Sequence, residues 1–262
     1  MIKRYPIKRR MRKKFGQHFL FDKNILKKIL ACSNVTADDM VVEIGPGLGS
    51  LTNIIAQRAK KVIAIEFDKK LIDRLKDNVA SSPNVEIIRA DALKFPYESI
   101  TGHFKVVANI PYYITTPLLF KLLEYKETIP TMTLLMQKEV AKRVVASPGS
   151  SDYGVLSISA QVYTKPVLKF QVSRKAFSPP PDVDSAVVHF EVSPVPRFDI
   201  QDVLLFTDIV RTAFSQRRKT IINSLRKFEG IGDALEAAGI HAKLRPENLS
   251  IEDFARLSNI MI

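Results

Sequence analysis

The feature that most constrains the fold is a glycine-rich turn placed directly after a short apolar run. Met40–Ile44 is apolar apart from Glu43, and the next residues read Gly45-Pro-Gly-Leu-Gly49, with a glycine at every second position. Glycine gives such a turn access to left-handed conformations and lets a ligand approach the backbone closely. Turns of this kind leave the first strand of a doubly wound parallel sheet. The segment therefore predicts an α/β fold with a ligand site at the carboxyl ends of its strands.

The apolar pattern on both sides of the turn supports a parallel sheet. Short apolar runs alternate with segments whose apolar residues recur at helical spacing, and Asp22 and Asp68 are placed to begin two helices. Such alternation is typical of βαβ units with helices on both faces of a Rossmann-like sheet. The predicted strands are Met40–Ile44, Val62–Ile65, Val85–Ile88, Val106–Ile110 and Thr133–Met136, with Val167–Val172 and Ala186–Val192 added as an antiparallel hairpin, seven in all.

The pattern changes to purely helical near residue 194. Val192-Ser-Pro-Val-Pro196 contains two prolines, which stiffen the chain and interrupt regular structure. Beyond it, Val203, Phe206 and Val210 fall on one helical face. With 262 residues, the chain is long enough for two modest domains. We therefore predict a basic tail over 1–14, an α/β domain over 15–193 and a small all-α domain over 194–262.

The positive charge is concentrated in two segments. The chain carries 40 Lys+Arg against 27 Asp+Glu, a net charge of +13, and residues 1–14 and 211–227 contain no acidic residue. Two basic segments on a nearly neutral body favour a polyanionic partner, because phosphate contacts release counterions. A solvated tail and helix face, or a targeting segment, remain alternatives. The residues predicted to bind such a polyanion, expected to be a nucleic acid, are Arg10, Arg12, Lys13, Lys14, Arg217, Arg218 and Lys219.

Several classes of protein are excluded by composition. The single cysteine, Cys32, excludes a disulfide scaffold and a cysteine-based zinc site. The histidines lack metal-ligand spacing, so no metal site is predicted. No apolar run reaches the roughly 18 residues of a membrane span. No signal peptide is recognised either, and we expect a cytoplasmic protein.

Three acidic residues are placed where strands end. Glu43 stands two residues before the first glycine, where its charge would repel a pyrophosphate but suit a cationic amino group, which favours S-adenosylmethionine over NAD. Glu66 ends the second strand, a position from which a carboxylate accepts hydrogen bonds from ribose hydroxyls. Asp91 is expected to end a third strand, Val85–Asp91, within reach of an adenine amine. Each acid alone is more typical of a solvated surface, but together they indicate a nucleoside site.

The segment Asn109-Ile-Pro-Tyr-Tyr113 follows the fourth predicted strand. The exocyclic amine of adenine is a poor nucleophile because its lone pair is delocalised into the ring. Two acceptors, the Asn109 amide oxygen and the Ile110 carbonyl, would bind its two N–H groups and localise that lone pair, since Pro111 holds the chain extended. Tyr112 can then stack on a flipped-out base. A simple turn closing the strand is the alternative.

These motifs together carry a resemblance to a known family. Asn109-Ile-Pro-Tyr112 resembles the (N/S)-(I/L/P)-P-(Y/F) motif of adenine amino-methyltransferases. From about residue 12 onward, the chain resembles the KsgA-type small-subunit ribosomal RNA adenine dimethyltransferases. The further segments that carry the resemblance are Phe15-Gly-Gln-His-Phe-Leu20, Glu43-Ile-Gly-Pro-Gly-Leu-Gly49, Ala90-Asp-Ala-Leu93, Met136-Gln-Lys-Glu-Val140, Phe177-Ser-Pro-Pro-Pro181 and Phe214-Ser-Gln-Arg-Arg-Lys-Thr220.

The resemblance implies a class I methyltransferase sheet and dimethylation of two adjacent adenosines in the 3′-terminal hairpin of 16S rRNA. It also implies a monomer that acts on small-subunit rRNA in a pre-30S particle during subunit biogenesis, with an effect on kasugamycin sensitivity. Tyr112 and Phe177 would sandwich the target base. The implied S-adenosylmethionine contacts are Gln17, His18, Leu20, Glu43, Gly45, Gly47, Glu66, Asp91, Ala92 and Asn109.

Two alternative functions remain open from the sequence. One is the related large-subunit rRNA adenine methyltransferase of the macrolide-resistance type, whose motifs overlap strongly with those above. The other is a non-catalytic rRNA-binding assembly factor with a vestigial cofactor pocket. Intact Glu43, Glu66, Asp91, Asn109 and Tyr112 argue against the second alternative.

Overall fold

The computed structural model describes residues 18–216 and 218–262. The predicted tail over 1–14, Gln17 and Arg217 lie outside these residues. The strands are β1 (Phe19–Leu20), β2 (Met40–Ile44), β3 (Lys61–Glu66), β4 (Val85–Arg89), β5 (Lys105–Asn109), β6 (Thr131–Gln137), β7 (Thr164–Val172), β8 (Phe177–Ser178) and β9 (Ser185–Val192). The helices are α1 (Lys23–Ser33), α2 (Ser50–Ala56), α3 (Lys69–Val79), α4 (Thr115–Leu123), α5 (Lys138–Val145), α6 (Val155–Gln161), α7 (Val203–Ser215), α8 (Ile221–Ser224), α9 (Ile231–Ala237) and α10 (Ile251–Ile260).

Seven strands form one sheet in the order β4-β3-β2-β5-β6-β9-β7. The pairs from β4 to β6 are parallel, and Glu43 lies opposite Ala64 on one side and Val107 on the other. The central strands are buried along almost their whole length, because helices cover both faces. β7 and β9 are neighbours at one edge, as expected for the last two strands. The predicted seven-stranded Rossmann-like fold is confirmed.

Two helices begin at the aspartates that the sequence predicted as their N-caps. The Asp22 carboxylate accepts hydrogen bonds from the backbone N–H groups of Asn24 and Ile25, and Asp68 accepts one from Lys70. These bonds satisfy donors that lack a partner within the first turn of a helix. α1 and α3 therefore begin directly after the two aspartates.

One predicted strand is shorter than expected. The third strand was expected to reach Asp91, but β4 ends at Arg89. The Ala90 N–H donates to the Glu66 carbonyl at 3.1 Å, and the Asp91 carboxylate then accepts the Leu93 N–H at 3.0 Å. The hydrogen bond from the Leu93 N–H to the Asp91 carboxylate folds the chain into a turn. Asp91 therefore lies just beyond the strand and not within it.

The chain divides into two compact units. One contains the residues up to Ala141 together with Val167–Phe190, and the other contains Lys142–Pro166 together with Glu191–Ile262. The second unit has its own apolar core, in which Tyr153 and Ile158 join Phe206 and Phe254. The boundary near residue 194 stays a prediction, since Lys142–Pro166 groups with the later helices. No helix in the described part of the chain is long and apolar enough to cross a membrane.

Candidate active site

A cavity of about 680 Å³ opens beside the carboxyl ends of β2, β3 and β5. β2 lies between β3 and β5 in the sheet, so successive connections from it run to opposite sides. Ligands bind at such switch points in open α/β sheets, because the loops there diverge and leave a crevice. Most of the lining comes from five segments: 18–20 at β1, 43–51 at the end of β2 and beyond it, 65–71 at the end of β3 and beyond it, 90–93, and 109–114.

The glycine-rich turn places backbone against the cavity. Gly47 has φ +60°, and a Cβ built on it would lie 2.9 Å from the Phe19 ring. Gly49 has φ +81°, and its Cβ would lie 2.9 Å from a Leu75 methyl group. Both positions therefore require glycine for its left-handed backbone and for the absence of a side chain. The turn leaves room in the cavity for a ligand to lie against the main chain.

Glu66 ties this turn to β3. Its Oε2 accepts the Gly47 N–H at 3.2 Å, and its Oε1 accepts the Asp68 N–H at 2.8 Å. Burial raises the pKa of Glu66, and hydrogen bonds from backbone N–H groups, those of Asp68 and Gly47 foremost, partly offset that rise. Each carboxylate oxygen has two lone pairs, so the carboxylate keeps the capacity to accept a further hydrogen bond from a ligand.

Glu43 is a buried acid with an unused oxygen. Only 1% of its surface is exposed, and its Oε2 has no hydrogen-bond partner among residues 18–216 and 218–262. Burial raises the pKa of Glu43 to about 8; the neighbouring Thr52 hydroxyl lowers it, and the charge of Glu66 raises it further. A buried carboxylate is costly unless a cation or donor neutralises it. Glu43 is therefore suited to a ligand that brings positive charge into the cavity.

Asn109 ends β5 with its side-chain amide fixed in orientation. Its Nδ2 lies 3.2 Å from the His18 carbonyl oxygen. Only the nitrogen end of an amide can donate to a carbonyl, so Oδ1 is the end that remains as an acceptor. The next residue, Ile110, donates its own N–H to the Leu135 carbonyl at 3.1 Å, and Pro111 follows it with no N–H to donate. Two oxygen acceptors, Asn109 Oδ1 and the Ile110 carbonyl, thus lie on consecutive residues of the lining.

Tyr112 lies in a one-turn helix, Tyr112–Ile114, directly after Pro111. Its hydroxyl lies 2.6 Å from the Ser185 Oγ, and its ring centroid lies 5.7 Å from that of His18 with the planes tilted by 31°. Burial raises the pKa of Tyr112, so the phenol is neutral at physiological pH. An aromatic ring in this position offers a stacking surface to a planar ligand.

Comparison with known proteins identifies the family. A model described as "Ribosomal RNA adenine dimethylase" matches residues 8–262. The chain belongs to the ribosomal RNA adenine dimethylase family. Relatives named "Ribosomal RNA small subunit methyltransferase A" include one from Pelotomaculum thermopropionicum, 43% identical over 95% of this chain and 90% of its own length. Another, from Latilactobacillus sakei, is 44% identical over 100% of this chain and 92% of its own.

Solved structures agree with this assignment to the adenine dimethylase family. A dimethyladenosine transferase from Plasmodium falciparum matches with a TM-score of 0.79 and 30% identity, over 92% of this chain and 96% of its own. The 23S rRNA methyltransferase ErmE matches with a TM-score of 0.74 and 28% identity, over 93% of this chain and 99% of its own. The predicted family, fold class and rRNA methyltransferase activity are thereby confirmed.

The structure brings most of the residues predicted for this dimethylase into one cavity. Those that line it together are His18, Leu20, Glu43, Gly45, Gly47, Glu66, Asp91, Ala92, Asn109, Ile110, Pro111 and Tyr112. Phe177 is not among the lining residues: it lies in β8, is 2% exposed, and pairs with Leu20 of β1. Its role beside the target base stays a prediction. Among the described residues, no three His, Cys, Asp or Glu side chains are grouped so that they could hold a metal ion.

Only two of the predicted RNA-binding residues lie in the described part of the chain. Arg218 and Lys219 lie exposed in the second unit, after α7. The other predicted RNA contacts, Arg10, Arg12, Lys13, Lys14 and Arg217, and the predicted cofactor contact Gln17, lie outside the described residues.

Among the residues that sequence reasoning missed, Phe67, Tyr113 and Ser185 bear most on the chemistry of this site. Phe67 and Tyr113 line the cavity with 54% and 62% of their surfaces exposed. Phe67 directly follows Glu66 and Tyr113 directly follows Tyr112, so proximity to a predicted residue is the signal that would have found them. Ser185 has no such signal, because only the fold brings it to Tyr112.

Proposed function

We propose that this dimethylase transfers methyl groups from S-adenosylmethionine to the exocyclic N6 amines of two adjacent adenosines in the 3′-terminal hairpin of 16S rRNA. It does so as a cytoplasmic monomer, on small-subunit rRNA within a pre-30S particle. The observation that carries the proposal is the pair of consecutive acceptors, Asn109 Oδ1 and the Ile110 carbonyl. They lie in one cavity with three carboxylates suited to a cationic nucleoside.

The cavity residues fit S-adenosylmethionine. The unpartnered Oε2 of Glu43 suits a positively charged group. At Gly47 the absence of a side chain leaves space beside the backbone that any Cβ would fill. Glu66 keeps lone pairs for ribose hydroxyls, and Asp91 with Ala92 lies where an adenine amine would be recognised. When bound, S-adenosylmethionine supplies an electrophilic methyl group.

The chain's own residues prepare the target amine. Asn109 Oδ1 and the Ile110 carbonyl accept its two N–H groups, which draws the nitrogen toward tetrahedral geometry and localises its lone pair. Tyr112 stacks on the flipped-out base and holds the amine against these acceptors. The proton released after methyl transfer passes to solvent, so no side chain has to act as a strong base. In the second cycle the monomethylated amine keeps one N–H, which one of the two acceptors binds, and a second transfer gives the dimethylated product.

The names of the relatives favour the small subunit over the large one. Proteins named small subunit methyltransferase A are 41–44% identical to this chain, whereas the 23S rRNA methyltransferase ErmE is 28% identical. ErmE nevertheless matches with a TM-score of 0.74, so a large-subunit substrate is the second candidate. Arg218 and Lys219, together with Arg217 and the basic residues of the N-terminal tail, are proposed to bind rRNA phosphates and position the enzyme.

The substrate is tested by methyl incorporation into isolated subunits. Purified enzyme and methyl-tritiated S-adenosylmethionine are mixed in parallel with undermethylated small subunits, with large subunits, and with fully methylated small subunits as the control. We expect label in the rRNA of the undermethylated small subunits alone. Label only in large-subunit rRNA would establish the second candidate, and label in neither would refute both.

A further inference from the structure

The hydroxyl of Tyr112 is held by a residue outside the cavity lining. Ser185 Oγ lies 2.6 Å from the Tyr112 hydroxyl, a short distance for a hydrogen bond between two oxygens. Ser185 is the first residue of β9 and has no exposed surface. The Tyr112 ring is thus fixed at both ends, by the backbone after Pro111 and by the sheet at its hydroxyl.

Ser185 is itself held firmly by its neighbours. Its strand, β9, lies between β6 and β7 in the sheet. The preceding residue, Asp184, accepts the Lys138 N–H at its carbonyl at 3.0 Å and the Arg174 N–H at Oδ1 at 2.9 Å. The hydroxyl that meets Tyr112 therefore comes from an anchored point and not from a mobile loop.

A ring tethered only at its backbone end rotates among staggered conformations. A second tether at the far end selects one orientation and removes the entropic cost of ordering the ring when a base stacks on it. We propose that Ser185 is a positioning residue for the target base, because it holds the Tyr112 ring in the orientation on which adenine stacks. This inference rests on the proposed function, in which Tyr112 contacts the base.

The test is a double-mutant cycle of Ser185→Ala and Tyr112→Phe, measured as kcat and KM on undermethylated small subunits. One neutral hydrogen bond contributes on the order of 1 kcal/mol, so S185A should lower kcat by about fivefold. KM for the subunit should stay unchanged, since phosphate contacts dominate binding of so large a substrate. In the Y112F background S185A should have no further effect, because the bond it removes is already absent.

Thr133→Val is the matched control. Thr133 is also buried in this sheet and its hydroxyl bonds to His189 at 2.9 Å, but it does not line the cavity. This variant should lose a similar amount of thermal stability and keep the wild-type kcat, which separates positioning from a merely structural loss.

Three results would overturn the proposal: full kcat in S185A, an equal loss in T133V, or an S185A effect of the same size in the Y112F background. If S185A does not accumulate as folded protein, Y112F alone carries the test, and full kcat in Y112F overturns it. If the proposed function is wrong, wild type itself labels no small subunits. If only the role of Ser185 is wrong, wild type is active and one of the three results above is seen.

Discussion

Glu43 is the residue whose chemistry departs most from that of its type in water. Its folded-state pKa of about 8 lies above the ordinary carboxyl value of 4.5, chiefly because burial disfavours the charged form. Between these two pH values the folded protein binds more protons at this site than the unfolded chain does. The free energy of unfolding therefore falls as pH rises from about 4.5 to about 8, and the cost is absent below that range.

Replacing Glu43 by Gln should remove this cost. We expect the Tm of ligand-free E43Q to exceed that of wild type by about 3 °C or more at pH 9, and the difference to close toward zero near pH 5. S-adenosylmethionine should stabilise wild type more than the variant, since Glu43 is proposed to neutralise its positive charge. Thermal unfolding from pH 5 to 9, with and without the ligand, measures both effects. A Tm difference that does not depend on pH would contradict the assigned pKa.

The sequence allowed the role of a residue to be predicted where that residue lies at the end of a recognisable strand. Glu43, Glu66 and Asn109 follow or end apolar runs, so a parallel sheet had to bring them to one edge. Ser185 could not be predicted, because its contact with Tyr112 joins positions 73 residues apart in the chain. The burial of Phe177 could not be predicted either, since it depends on the pairing of β8 with β1.

At the scale of elements, long strands could be predicted and short ones could not. Five parallel strands follow from consecutive apolar residues between turn signals, and Asp22 and Asp68 fix two helix starts. β1 and β8 contain two residues each, too few for a period to be recognised. Yet β1 carries Phe19, whose ring lies against the glycine-rich turn. The glycine-rich turn is the most conspicuous motif of the sequence, yet its surroundings depend on β1, a strand too short to be predicted.

Gly47→Ala tests this contact. The new Cβ would lie 2.9 Å from the Phe19 ring, so either the turn or β1 must move and the cavity must change shape. We expect the affinity for S-adenosylmethionine to fall by about tenfold, from a loss of roughly 1.4 kcal/mol. Isothermal titration of the ligand measures the effect.

Gly102→Ala is the control for this prediction. Gly102 has φ +86°, so alanine there suffers a similar left-handed strain, but a Cβ on it meets nothing within 4 Å. G102A should lose about 1 kcal/mol of stability from this strain, and G47A at least as much, while G102A keeps wild-type ligand affinity. Equal affinity in the two variants would show that the Phe19 contact does not shape the site.

For the whole molecule, the distribution of charge matters more than its sum. The net charge of +13 is concentrated in residues 1–14 and 211–227, and the rest of the chain is close to neutral. Of the predicted phosphate contacts in the second segment, Arg218 and Lys219 are described and both are exposed. The candidate active site lies in the α/β unit, whereas Arg218 and Lys219 belong to the helical unit.

Replacing Arg218 and Lys219 together by Ala should weaken binding to rRNA and flatten its salt dependence. Each lost phosphate contact reduces the slope of log K against log [salt] by about 0.7 to 0.9, so the slope should change by about 1.5. The control replaces Lys61 and Lys121, which are ion-paired with Glu86 at 2.7 Å and with Glu124 at 2.8 Å. It removes the same charge from the α/β unit. Equal slopes for both double variants would mean that Arg218 and Lys219 do not contact phosphate.

We propose that Asn109 and its neighbours prepare an adenine amine for two methyl transfers. The most direct test is mass spectrometry of nucleosides from small-subunit rRNA after reaction with wild type, Asn109→Ala and Asn78→Ala. Asn78 also donates its amide to a backbone carbonyl, that of Leu48 at 2.8 Å, but it lies outside the cavity lining. Wild type and N78A should give N6,N6-dimethyladenosine at two adjacent positions. N109A should slow its formation by about 100-fold or more while still binding subunits. A near-normal rate of dimethyladenosine formation by N109A would contradict the role proposed for Asn109.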